Sequence, residues 1–242
     1  MANAPADPND ARAGAAVSAR RLMRLARTAA LATLDAPGGA PLTTLVGVAS
    51  DWDGSPLMLM STLSRHTRNL ARDPRASLLL TGGGARGDPL NHPRLTLGGV
   101  IEGCPEARAK IRYLRRNPKA ALYAGFADFA LYRLRIEDVH FNGGFGRAAA
   151  LSSSDVLASP GGQAALAEAE ERLLKEANAL GARSLARLAG HKAVRPSWRA
   201  IGLDAEGLDL AAGGRAGRAQ FATPAHDAET WRARLEGMLR DG

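Results

Sequence analysis

The stretch with the most chemical content is Met60–Asn69, MSTLSRHTRN, where a strand end runs into a helix start. Ser64 stands at the N-cap position, and Arg65, His66, Thr67 and Arg68 follow within one turn. Free backbone N–H groups at a helix start, backed by hydroxyls and positive charge, are a ready anion site. The same residues also fit a plain solvated, Arg-rich helix end. The remaining chemistry is sparse. The five histidines, His66, His92, His140, His191 and His226, show no i, i+4 pair. There is no HExxH, no GxSxG and no GxxxxGK[ST] string. Gly82-Gly83-Gly84-Ala85-Arg86-Gly87 matches GxGxxG after a strand, but Asp88-Pro89-Leu90-Asn91-His92-Pro93 cannot open the helix that a dinucleotide site needs. No catalytic side chain is assigned, and no metal site is expected.

The elements that must position these residues follow from pattern. An amphipathic helix is expected from Ser18 on the spacing of Leu22, Leu25, Ala26 and Ala29. Strands at Leu31–Leu34, Leu42–Ala49 and Leu57–Ser61 read as a β-meander, since their connections are too short for parallel crossovers. A helix over Ser64–Arg72 stops at Asp73-Pro74. Strands at Ala76–Thr81 and Leu95–Glu102 flank a Gly/Pro-rich loop, and a helix over Pro105–Arg116 is followed by a short turn at Lys119–Ala124. The strand Phe129–Asp138 leads to a glycine-rich exit at His140–Gly146, read as a bulge at a rim. Leu151–Gly162 is a Ser/Gly-rich break. Beyond it come a long helix over Leu166–Leu180, three short strands (Trp198–Leu203, Leu208–Ala211, Arg218–Ala222) and a closing helix from His226. The expected organisation is a flexible tail at 1–17, a main domain at 18–150, a linker at 151–162 and a small α+β domain at 163–242.

Composition bounds the rest. The 242 residues are enough for one large domain or two small ones. The net charge is +8, with 28 Arg and 4 Lys against 24 acidic residues. That balance permits an anionic partner and equally fits a coding bias towards arginine. No aromatic and basic residues interleave as in an RNA-binding sheet, so nucleic acid is not the expected partner. Cys104 is the only cysteine, so no internal disulfide forms; it precedes Pro105 at a helix start, where a thiol pKa can fall, but a structural role is the expectation. With no apolar leader and no membrane-length apolar run, a cytoplasmic location is expected. Trp198 and Trp231 are expected as core fillers of the small domain.

The run HTRNLARDPRASLLL, with GDPLNHPRLTL, GFADF and HFNGGFG, resembles the pyridoxamine 5′-phosphate oxidase-like FMN-binding split-barrel superfamily, in its haem-utilisation (HugZ/HutZ-like) branch. The resemblance covers about Arg20 to Ala150. It implies an α+β chain with a six-stranded antiparallel split β-barrel, a small α+β domain after it, and a homodimer with cofactor sites at the interface. For an FMN-binding member it implies that Ser64, Arg65 and His66 hold the phosphate, with Thr67 and Asn69 in reach. Thr43, Thr44 and Leu45 would meet the isoalloxazine, and Ser61 and Thr62 would face the same ligand. FMN and possibly flavin-dependent oxidoreductase chemistry is the leading expectation. The alternative is haem, with Asp128 of GFADF supporting its site. The axial histidine and the His-Met-Asn-x-Asp-His motif of that branch are not matched; at the latter only Asn178 survives, which leaves His191 and His226 as unmatched candidates. A third reading is a cofactor-free regulatory binding module.

Overall fold

The computed structural model describes residues 8–82, 87–144, 148–158, 163–192 and 195–240. Helix α1 (Pro8–Leu25) opens the chain, ten residues before the expected start at Ser18. Proline is favoured in a first turn, and the alanine-rich segment behind it has high helix propensity, so residues expected as tail are helical. Ala16 and Ala19 are buried against the barrel core with Leu22 and Met23. The expected residues 1–7 of the tail lie outside the described residues.

Strands β1 (Thr28–Asp35) and β2 (Ala40–Gly47) form an antiparallel hairpin. After Val48 the chain continues as the two-residue strand β3 (Ala49–Ser50), which pairs with β4 (Pro56–Ser61) instead of β1. Helix α2 (Arg65–Leu70) follows, then β5 (Arg75–Thr81), β6 (Arg94–Gly103), helix α3 (Ala107–Arg116), β7 (Phe129–Asn142) and β8 (Ala148–Leu151). The sheet order is β2-β1-β5-β6-β7-β4-β3, with β8 added to β7. One continuous segment, β2 into β3, thus supplies both ends of the sheet, and bends at Val48 from one edge to the other. This curls the sheet into an antiparallel half-barrel. Six long strands carry it, as expected, and β3 and β8 are short additions.

The expected meander is corrected at β4. Its neighbours are β3 and β7, because a strand buried on both faces takes a central place beside β7. Met58 and Met60 fill the barrel interior with Leu31, Leu78, Leu97 and Leu134, while Leu57 and Leu59 pack outward under α3 with Tyr113 and Ala109. Of the glycine-rich exit, residues 140–142 belong to β7, which pairs antiparallel with β8, while residues 145 and 146 lie outside the described residues. A register irregularity lies at Gly98/Gly99 in β6. The expected linker begins with ordered structure, because Leu151 ends β8 and helix α4 (Ser153–Val156) buries Val156 in the barrel core.

The small lobe is built from α5 (Gln163–Ala179), α6 (Gly181–Leu188), the hairpin-linked strands β9 (Arg199–Asp204), β10 (Gly207–Ala212) and β11 (Arg215–Gln220), and α7 (Ala228–Arg240). Trp198 and Trp231 are both in its core, with Leu166, Leu173, Leu203 and Leu210. No helix among the described residues is long and apolar enough to cross a membrane.

Candidate functional site at the barrel mouth

The turn from β4 into α2 is held from a distance. Asp128 accepts a 2.5 Å hydrogen bond from the Ser61 hydroxyl, and its carbonyl accepts from the Thr62 N–H at 2.7 Å. The Ser61 hydroxyl in turn accepts from the Leu63 N–H. Ser64 occupies the N-cap position, but its side chain does not cap the helix. Its hydroxyl donates to the Ser61 carbonyl at 2.8 Å and meets the Thr67 hydroxyl at 2.7 Å. The hydroxyls expected to face an anion are therefore engaged with one another.

Helix α2 lies against the inner side of β1 and β2. Thr44 shares an inward row with Leu31 and Leu78, and its hydroxyl lies 3.1 Å from His66 Nδ1. Asn69, buried, donates to the buried Thr33 hydroxyl at 3.2 Å. Arg65 forks onto both oxygens of Asp35, at the end of β1. That pairing holds Asp35 below the ordinary carboxylate range. Burial pulls the His66 imidazole below its usual pKa, so the ring is neutral near pH 7. Of the cations in this segment, Arg68 alone is exposed with no ion pair among the described residues.

The expected site residues thus separate into groups. Thr44, His66, Thr67 and Asn69 come together inside the mouth, and Ser61, Ser64 and Asp128 form the adjoining turn. Thr43 and Leu45 face the opposite way, since side chains alternate along a strand. Leu45, 75% exposed, lies in an outward row with Ala30 and Leu79. Thr62 is exposed. Leu63, Leu122 and Phe126 are large, exposed and apolar.

Several other residues have definite places. Asn178 pins α5 to β9, its amide donating to the Leu174 and Ala200 carbonyls and its oxygen accepting from the Ala200 N–H at 2.9 Å. His191 stacks on Trp198 at 4.8 Å, and His226 is exposed beside Asp227. Cys104 is buried, donates to Glu106 at 2.9 Å, and has its thiol pushed up to about 12 by burial and that carboxylate. Burial thus outweighs any lowering by the helix start. Sequence reasoning missed a buried set of arginines, Arg24, Arg112, Arg116 and Arg218. The available signal was Arg112 and Arg116 at i, i+4 beside Ala109 and Tyr113 on the apolar side of α3.

A curled antiparallel sheet with a helix in its mouth and an α+β lobe fastened behind defines a split-barrel protein. Residues 10–157 match the family described as CREG, beta-barrel, and the chain belongs to that family. It is similar to a protein of unknown function from Agrobacterium tumefaciens, at 36% identity with a TM-score of 0.83, covering 97% of this chain and all of that one. It is also similar to a haem-binding protein from Mycobacterium smegmatis, at 28% identity and a TM-score of 0.56, covering 94% and 96%. A chloroplastic non-canonical haem oxygenase from Arabidopsis thaliana is 34% identical over 111 residues, 44% of this chain. The match spans about a third of that curated relative's length.

Proposed function

We propose that the chain is a haem-binding protein of the haem-utilisation branch of the pyridoxamine 5′-phosphate oxidase-like split barrels. The observation that carries this is the state of the two residues matching a flavin phosphate site. Arg65 is committed to Asp35, and His66 is neutral, so neither offers the free positive charge a phosphate needs. In the tautomer whose Nδ1–H donates to the Thr44 hydroxyl, the neutral imidazole has Nε2 free, as a metal-ligating histidine requires. The exposed apolar side chains of Leu63, Leu122 and Phe126 suit a flat apolar ring, and the exposed Arg68 suits a carboxylate. Haem bound here would supply a redox-active iron. The chain's part is to orient His66 through Thr44 and to hold the turn at Ser61 through Asp128. The named activities of the haem-binding and haem-oxygenase relatives support the reading.

Titration with haemin tests it. A Soret shift that saturates at one equivalent and weakens at least tenfold in His66→Ala is expected, with His191→Ala and His226→Ala unchanged. No shift, or one indifferent to His66, overturns it. The flavin reading keeps one specific support. The Arg65–Asp35 pair is exposed, and exposed pairs contribute little, so a phosphate could displace Asp35. Flavin absorbance in the protein as purified would favour it. We also propose a homodimer, with a second copy covering the outward face of Ala30, Leu45 and Leu79. Light scattering coupled to gel filtration should give twice the chain mass, and Leu45→Glu should give the monomer.

A further inference from the structure

Between the barrel and the small lobe lies a joint rich in buried charged side chains. Arg24, Arg112, Arg116 and Arg218 are each at most 7% exposed, and so are Asp204, Asp209 and Glu170. Four guanidinium groups against three carboxylates leave one buried positive charge without a counterion. The deficit can be located. Arg218 donates to Asp209 and Asp204, each at 2.7 Å. Arg24 lies 3.1 Å from the other Asp204 oxygen, and Arg112 donates to Glu170 at 2.6 Å. Arg116 meets no carboxylate among the described residues. Its Nη2 donates to the Arg24 and Leu25 carbonyls at the end of α1, at 2.8 and 2.6 Å. Its Nε and Nη1 are enclosed and have no acceptor.

Arg116 also lines a cavity of about 20 Å³, together with Arg24, Arg112, Ser50, Gly202 and Asp209, among others. Roughly 10–15 Å³ of such space holds one water, so the volume admits a single small particle and excludes phosphate, sulfate or an organic acid. The field there is positive, with three arginines on its wall and the one carboxylate, Asp209, already engaged by Arg218. A buried charge is stable only when paired. We propose that this cavity is a halide site, occupied by chloride, in which Arg116 Nε and Nη1 are the direct donors. Burial pulls the Arg116 pKa below its ordinary value, with only Asp209 opposing, and Arg27 and Arg218 act the same way as burial. The anion would complete the joint between the lobes. It is independent of what the barrel mouth binds.

Crystals of the full chain grown in bromide test the site. An anomalous peak within hydrogen-bond reach of Arg116 Nε and Nη1 is expected; a water alone there overturns the proposal. Thermal unfolding at fixed ionic strength gives a second readout. Exchanging chloride for gluconate, which is too large for the cavity, should lower the Tm of the wild type and leave that of Arg116→Met unmoved. A wild-type Tm indifferent to the exchange also overturns the site. Should Arg116→Met not fold, since Arg116 also closes the end of α1, the bromide map of the wild type decides alone.

Discussion

His66 joins the two chemical questions at the barrel mouth, because its protonation state decides what it attracts. Its pKa is depressed by burial in the folded chain, so between that value and the ordinary one near 6.5 the unfolded chain binds the proton and the folded chain does not. Folding stability therefore falls as pH drops through that window. Denaturant midpoints from pH 7 down to 5 should show a slope that His66→Gln reduces. Cys104 gives an opposite case, since a thiol raised to about 12 and buried is unreactive. Iodoacetamide should leave it unmodified in native protein and label it after unfolding. The types of the mouth residues were legible in the sequence, but their partners were not. Asp35 lies 30 residues from Arg65, and Asp128 lies 67 from Ser61. Nothing in local spacing reports that two hydroxyls, Ser64 and Thr67, are already satisfied by each other.

At the scale of elements, Gly99 is the position where the sheet tolerates no side chain. A Cβ there would sit 2.0 Å from the Arg135 carbonyl oxygen, where β6 shifts register against β7. Gly99→Ala should therefore cost about 1–3 kcal/mol or more, read from chemical denaturation. Gly103→Ala, with open space around it, should cost far less. Strand and helix identities were legible because alternation and the Asp-Pro and Asn-Pro stops are local signals. The exchange of partners at Val48 was not, since a β-rich run looks the same whether its two halves pair with one strand or with two. The early start of α1 was missed because Ala, Asn and Asp near a terminus resemble a tail by composition. Burial of Ala16 and Ala19 on the barrel is a tertiary fact.

For the whole molecule, the barrel and the small lobe each have their own core, and the Ser/Gly-rich break at Leu151–Gly162 was the only sequence signal near their junction. The joint was not legible, because arginine is ordinarily a surface residue and 28 of them mask the few that are buried. Asp204 is the central anion of that joint. Burial alone would raise its pKa, but Arg218 and Arg24 outweigh burial and hold it below the ordinary range. Its contribution to stability is thus present above the unfolded value near 3.9 and is lost only as pH falls below it. Asp204→Asn leaves two buried guanidinium groups short of a counterion and should cost about 3–5 kcal/mol in urea unfolding.

The partition of that joint has a consequence for how the chain assembles. Arg24, Arg112 and Arg116 belong to the barrel side, whereas Asp204, Asp209 and Glu170, with Arg218 among them, belong to the small lobe. These buried groups carry +3 on the barrel side and −2 on the lobe side. The barrel residues precede the small lobe in the chain, so the cationic side of the joint is synthesised before its anionic partner. Attraction between the two faces should then speed their docking, and added salt should slow it.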